Sequence, residues 1–439
     1  MLAVSLAAFA ALCVLQRAPM ADALVYRAEG AAVAHGTDLY GFTVTEWRLP
    51  ATYPPFAALL FVPASWLAPP ALKVAFVLGN AVLLAVLVRL SCRLAGLSSR
   101  LPAVCAATAL TLWLEPVFQS VLFGQINLAL VCLVLWDLTR PPGAPGRGVA
   151  LGIAAGVKLT PVAFIAYLLF TGRRREAGTA AGAFAGTVLL GALVLPAASV
   201  DFWTRRLYET GRVGKPWIVD NQSLQGLIAR ALGEPSPGPA WVLPAAVVGC
   251  AGLWLSCTRT AATKSPPAGK IPYARKIPYG ARAPRPVRAP RTSAPAPATV
   301  AAPMTAPASA TLHASTTYAP DPVLARAGRP GPAAGPHPDR WGVLGTAFTA
   351  LLVSPISWSH HWVWCVPLIA VLYAGHGPRP AAAVAAVFTA RTLWLIPHQG
   401  DLDLRLPWWQ QPLASPYALL GLLVLAQLSV SSSSASRIR

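Results

Sequence analysis

Eleven apolar stretches dominate this chain, near residues 1–16, 71–90, 101–118, 125–138, 148–171, 177–196, 240–257, 341–356, 361–375, 381–396 and 414–430. So many runs near span length have few fates open to them, and burial in lipid is the simplest. Composition removes the soluble alternative. Of 439 residues, 55% are hydrophobic and only 11% are charged, too few to clothe a soluble fold of this size. A polytopic, all-α membrane protein is expected. Its first stretch, Met1 to Leu15, lacks the basic flank and cleavage site of a signal peptide. It is also short for a span, so the true start is expected upstream.

The net charge of +20 raises the question of nucleic acid, which the placement of the charge answers. Twelve Lys/Arg against two Asp/Glu fall between Thr258 and Arg340, and most of the rest sit in short loops beside apolar runs. That is the pattern of the positive-inside tendency and of attraction to lipid headgroups, so membrane lipids rather than nucleic acid are the expected partners. The seven cysteines form no CxxC pair and lie mostly in apolar runs, where they act as small apolar side chains.

Assigning Arg89/Arg93/Arg100, Arg140/Arg147, Arg173–Arg175, residues 258–340, Arg379 and the tail to the cytoplasm gives one consistent map. It requires the run 148–171 to cross twice, because Arg147 and Arg173 must share a side. A break at Gly156-Val157-Lys158-Leu159-Thr160-Pro161 suits this, since a lysine and a proline at membrane depth fit a broken helix pair lining a cavity. Phe56 to Leu67, about a dozen residues long, reads as an interfacial segment. The map then has about twelve crossings, both termini cytoplasmic, and outward loops at 17–52, 197–239 and 397–413. Residues 1–257 and 341–439 form the membrane core. The Pro-, Ala- and Arg-rich insertion 258–340, with its repeat at Lys270 and Lys276, reads as disordered and cytoplasmic.

Polar groups on the outward side are the candidates for chemistry. Arginines there, Arg205, Arg206 and Arg212 among them, run against the positive-inside tendency and are candidates for binding an anion. Adjacent His360 and His361 stand among Trp358, Trp362 and Trp364, as at a membrane interface. Neighbours on a helix point about 100° apart, which disfavours both serving one metal ion. One ring should face the cavity and the other pack on aromatics; the sequence does not choose between them. Gln125 and Asn127 suit helix capping and interhelical bonding at least as well as sugar contact. Asn221 and Gln222, near Arg212, are balanced between the two roles. Glu115-Pro116 reads as a helix-end feature, and Trp408-Trp409 as an interfacial anchor.

Six strings in order resemble glycosyltransferase family 87. They are Asp22 with Val25-Tyr26; Thr52-Tyr53-Pro54-Pro55-Phe56; Gly124-Gln125-Ile126-Asn127-Leu128; Gly156-Val157-Lys158-Leu159-Thr160-Pro161; Gly211-Arg212-Val213-Gly214 with Asn221-Gln222-Ser223-Leu224; and Ser354 through Trp362. The resemblance implies a helical bundle of the GT-C type, acting as a polyprenol-phosphate-mannose-dependent alpha-(1,2)-mannosyltransferase. Its site would face outward from the plasma membrane, its donor would be a polyprenyl-phosphate sugar, and its acceptor a lipid-linked glycan. A subset of the family uses an arabinofuranosyl donor, which leaves the sugar open. The family's early Asp falls on Asp22, although Ala23 stands where Leu is usual.

Transfer with inversion needs one base for the acceptor hydroxyl and a cationic environment for the departing phosphate. Asp22 is the candidate base. Lys158, Arg212 and one of His360/His361 are candidates around the phosphate, with no cofactor or metal. Tyr53, Gln125, Asn127, Asn221 and Gln222 complete the candidate substrate contacts. A lipid-linked sugar transporter is the non-enzymatic rival, since a charged cavity between broken helices suits transport too.

Overall fold

A computed structural model describes residues 1–16, 18–263 and 339–436, and these are mostly helical. The insertion assigned to 258–340 therefore lies almost wholly outside the described residues. At its edges helix α13 (Pro239–Thr263) runs past residue 258, and Asp339 caps the first turn of α14 (Arg340–Val353) by accepting from Trp341 N.

Three helices are long and apolar enough to cross a membrane: α4 (Pro69–Ala95), α10 (Arg174–Val194) and the Pro239–Thr258 part of α13. A fourth candidate is the pair α5 (Leu101–Thr111) and α6 (Glu115–Phe123), bent by 80°. Shorter apolar helices fill much of the remainder, namely α1 (Leu2–Leu15), α3 (Pro55–Ser65), α7 (Asn127–Leu138) and α18 (Pro416–Ser436). By length and composition the described residues thus supply three or four spans rather than twelve. The difference arises because a hydropathy run does not register a break in the helix. The run 101–118 turns at Leu112–Leu114, and the run 361–375 begins inside a 3-10 segment, Ser359–Trp364, before α15 (Cys365–His376).

The run 148–171 is broken as its lysine and proline suggest, into α8 (Val149–Val157) and α9 (Val162–Phe170). Nine residues of helix rise only about 14 Å, against about 30 Å of hydrocarbon, so neither piece is a full crossing. The chain reverses direction at the break. Along α8, Gly148 abuts Glu176, Gly152 abuts Ala180, and Gly156 abuts Thr187, so α8 and α10 run parallel, with α9 returning between them. A Cβ at Gly152 or Gly156 would collide with α10, and this row of small residues is what lets the two helices approach. Arg147 and Arg173 consequently share one end, and Lys158 sits at the other.

The segments between these helices hold the remaining elements. Helix α2 (Ala21–His35) starts with Asp22 in its first turn and packs along α3. A two-stranded antiparallel ribbon, β1 (Thr43–Val44) with β2 (Leu49–Pro50), interrupts the mostly helical described residues. Helix α11 (Pro196–Thr204) leads into two 3-10 turns and then α12 (Leu224–Leu232). After α15 come α16 (Pro378–Ala390) and the single turn α17 (Gln411–Ala414). Most buried apolar side chains form one core, in which Trp362, Phe348, Tyr417 and Phe388 meet beneath the segment carrying the histidines.

Candidate active site

A cavity of about 520 Å³ lies among the first turn of α2, the Thr52–Pro54 segment, the α6–α7 turn, the α8–α9 break, residues between 202 and 220, and Ser354–His361. Five of the six strings singled out in the sequence reach its wall through Asp22, Tyr53, Gln125 or Lys158, and His360 and His361. The string at Gly211–Leu224 reaches it through Val213 and Gly214.

Asp22 is half-buried and lines this cavity. Burial pushes its carboxyl up to about 6, against the opposing pull of a hydrogen bond from Gln125 and the charge of Lys158; the nearby Asp220 adds a smaller upward push. A carboxylate raised this far is a stronger base than an ordinary aspartate and is still ionised at neutral pH. The turn that brings Gln125 to it depends on Gly124, which ends α6 with φ +69°, a conformation L side chains rarely adopt, with Ala23 of α2 packed against it.

Lys158 ends α8 with extended backbone, which sends its side chain across the break. Its Nζ donates to Asn127 Oδ1 at 3.2 Å, meets His361 Nε2 at 3.0 Å, and lies 5.6 Å from the centre of the Tyr53 ring. An ammonium has three donors and no acceptor. His361 Nε2 therefore accepts, and the proton of the neutral ring belongs on Nδ1. Two of the three ammonium hydrogens are thus engaged, and among the described residues the third is left for the cavity.

The expected division, one ring to the cavity and the other to aromatics, does not hold, because both rings border the cavity; they differ instead in their partners. His361 is tied to Lys158. His360 is 4% exposed, stacks edge-on with Phe123 at 5.7 Å, and has no hydrogen bond to either ring nitrogen among the described residues. Both still border the cavity. Asn127 Nδ2 and Ser120 Oγ donate to the carbonyl of His360 and hold this segment against α6 and α7. Asn127 is thus a positioning residue joining Lys158 to the histidine segment. Tyr53 and Tyr26 both reach Gln125 Oε1, at 3.3 and 2.9 Å, fixing the amide beside Asp22.

Three candidates are not where a substrate contact requires them. Asn221 is fully buried, donating to the carbonyls of Pro216 and Pro355 and accepting from the amides of Ser357 and Ser223. Gln222 donates to Val219 and Ala414 and accepts from Tyr417 N. With every strong donor and acceptor engaged, both amides are struts that join the 216–223 segment to the Ser354–Ser359 segment and α18. Arg212 does not line the cavity. Its Nη2 donates to the carbonyl of Ala51 at 3.3 Å, and its guanidinium lies 5.8 Å from the Tyr40 ring. Nor are the arginines of the 205–212 segment free for an anion: Arg206 pairs with Asp201 and Glu209, Arg205 with Glu209, and Arg212 approaches Glu209 at 3.8 Å. Of these, Arg206 is the one on the cavity wall.

Three acids matter more than their sequence context suggested. Asp220, one residue before the strut amides, lines the cavity and accepts from Ser359 N at 3.0 Å, and burial raises its carboxyl. Buried Arg230 of α12 holds this segment by donating to the carbonyls of Trp217, Ile218 and Asn221. Glu29 shares a helix face with Asp22 and Tyr26 at helical spacing and is 1% exposed; burial raises it to about 8. That periodicity in α2 was the one signal that could have found it.

Glu115, fully buried, accepts from Ser359 Oγ at 2.7 Å, Trp394 Nε1 at 3.0 Å and Tyr417 OH at 2.8 Å. It joins α6, the histidine segment and α18, so it is more than a helix-end feature. Glu115→Ala strands three donors, two of them buried, and is expected to cost about 3–5 kcal/mol, read as a lower melting temperature in detergent. Glu115→Gln, which keeps one oxygen acceptor, should recover part of that loss. An unchanged melting temperature for the alanine variant would contradict this role.

The sequence model of glycosyltransferase family 87 matches residues 51–271. A polyprenol-phosphate-mannose-dependent alpha-(1-2)-phosphatidylinositol mannoside mannosyltransferase of Mycobacterium tuberculosis is 29% identical, covering 93% of this chain and 84% of that protein. The protein of that name from Mycolicibacterium smegmatis is 28% identical over 94% and 84% of the two chains. A Mycolicibacterium smegmatis polyprenol-phosphate-mannose-dependent alpha-(1-2)-phosphatidylinositol pentamannoside mannosyltransferase is 30% identical over 80% and 67%. No solved structure matches the chain. The family match spans half of the sequence and the relatives extend along most of it, so the chain belongs to glycosyltransferase family 87.

Proposed function

We propose that this chain is a membrane mannosyltransferase. It takes mannose from polyprenyl-phosphate-mannose and adds it to a lipid-linked mannoside of the phosphatidylinositol mannoside class, with inversion and an alpha-(1,2) linkage. The observation that carries the reading is one cavity lined by a carboxylate, Asp22, and a cation, Lys158, each held by neutral partners. The printed names of the relatives supply the donor and acceptor.

Asp22 takes the proton of the acceptor hydroxyl as its oxygen bonds to the anomeric carbon. The bond from that carbon to the phosphate oxygen breaks, and its electron pair leaves with the polyprenyl phosphate. The free hydrogen of Lys158 meets the charge that develops there. His361 keeps the ammonium directed at the cavity. His360 and Tyr53 shape the wall, and Gln125 orients Asp22.

The outward orientation rests on the arginines. Arg147 and Arg173–Arg175 stand at the end of α8 away from Lys158, the end that the positive-inside tendency assigns to the cytoplasm. The cavity then opens to the outer face of the plasma membrane. A crossing number near twelve, with both termini cytoplasmic, would require the shorter apolar helices to span in tandem.

The test is purified protein in liposomes with polyprenyl-phosphate-mannose and short lipid-mannoside acceptors, with product mass and linkage as readouts. A hexose added in alpha-(1,2) linkage is expected. Transfer only from an arabinofuranosyl donor, or movement of labelled lipid without a new glycosidic bond, would overturn the reading.

The pH profile tests the base separately. Below its value of about 6 the Asp22 carboxyl is protonated and cannot accept a proton. On the acid side kcat/KM should therefore fall about tenfold per pH unit. A flat profile between pH 5 and 7 would remove Asp22 as the titrating base.

A further inference from the structure

At the end of α8 away from Lys158 lies a second cavity, of about 190 Å³. Four arginines line it, Arg147, Arg173, Arg174 and Arg175, against one carboxylate, Glu176. Arg147 is 5% exposed; its Nη2 donates to Leu138 O at 2.8 Å, and its Nη1 lies 3.2 Å from Glu176 Oε1. Its Nε, together with Nη1 of Arg173, is buried without a hydrogen-bond partner among the described residues. Asp137, the other carboxylate nearby, is committed to the amides of Gly148 and Leu151 and lies 3.6 Å from Arg140.

Helix α10 begins at this cavity with no side chain capping its first turn, which adds the partial positive charge of free amides. The positive-inside tendency accounts for arginines at this end of the helices, and Arg174 and Arg175 are exposed as it expects, but it does not account for the burial of Arg147 and of one Arg173 nitrogen, because a fully solvated side chain would satisfy it equally well. Buried guanidinium donors in excess of carboxylates call for an anion with several acceptor oxygens. Beside them the apolar side chains of Val149, Leu169 and Phe170 are exposed, at 39%, 51% and 67%.

The geometry points to a binding site for the phosphate of an anionic phospholipid headgroup, held by Arg147 and Arg173 at the end of α8 opposite the candidate active site. The arginines take the phosphate oxygens, and the exposed apolar residues meet the acyl chains. Free inorganic phosphate shares the first chemistry and lacks the second.

The test uses the full chain, purified and delipidated in detergent, and native mass spectrometry with phosphatidylglycerol or phosphatidylcholine added. Phosphatidylglycerol should be retained in preference, and Arg147→Gln should reduce that preference by about tenfold. Arg147 also bonds to Leu138, so Arg173→Gln serves as a second variant, with an unchanged melting temperature as the sign of an intact fold. Competition by inorganic phosphate in the wild-type protein but not in the variants would support a site for the phosphate group. Equal retention of the two lipids, or an unchanged preference in folded Arg173→Gln, would overturn the proposal. So would binding of inorganic phosphate alone.

Discussion

Asp22→Asn is expected to lower turnover by about three orders of magnitude, within the range that a positioned general base contributes. The substitution keeps the size of the side chain and a hydrogen-bonding partner for Gln125, which in turn is held by Tyr26 and Tyr53. Stability should hold or rise, since the variant no longer carries a carboxyl that burial disfavours as an anion. Loss of activity with an unchanged melting temperature therefore separates a chemical role from a structural one. Turnover near normal would remove Asp22 from the mechanism and leave Asp220, the other carboxylate on the same wall, as the candidate base.

Lys158→Met is expected to lower kcat by about two to three orders of magnitude, the scale seen when one group facing a developing charge is removed. Methionine fills similar volume beside the Tyr53 ring. It leaves His361 Nε2 and Asn127 Oδ1 without their donor, so a loss of about 1–3 kcal/mol in stability should accompany it. The split between constants is the informative readout. A cation that acts on the leaving phosphate lowers kcat; one that only binds the donor raises KM and spares kcat. A pure KM effect would confine Lys158 to donor binding.

Legibility followed the local regularity of the chain. The break at Lys158 was readable because a lysine and a proline interrupt an apolar run, and both anomalies are visible in sequence. Asp22 was reached through resemblance; residue type alone made it a solvated loop carboxylate. The crossing number was not readable. Hydropathy averages over a window, whereas a bend such as that between α5 and α6 needs only three residues.

The 211–224 segment shows the limit most sharply. Sequence reading made Arg212 a candidate phosphate contact and left Asn221 and Gln222 balanced between sugar contact and structural bonding, yet the cavity takes Val213, Gly214, Ile218 and Asp220 from this segment, and Arg206 from just before it. Polar residues in an irregular loop carry no period, so adjacent side chains can point into a cavity, into the core or at a carbonyl with equal ease. The long-range pairing of Asn221 with Trp358 decides among them, and it joins residues more than a hundred positions apart.

The amino-acid sequence by itself determined the membrane class, the helical character, the family likeness and the helix break at Lys158. These follow from solvation and from local chemistry, which act within a window of a few turns. Only the tertiary structure decided that His361 rather than His360 holds Lys158, that Glu115 joins three segments, and that four arginines converge at the far end of α8. The physical reason is burial. A polar group withdrawn from water must find its partner wherever the fold brings one, and that partner is fixed by packing across the whole bundle.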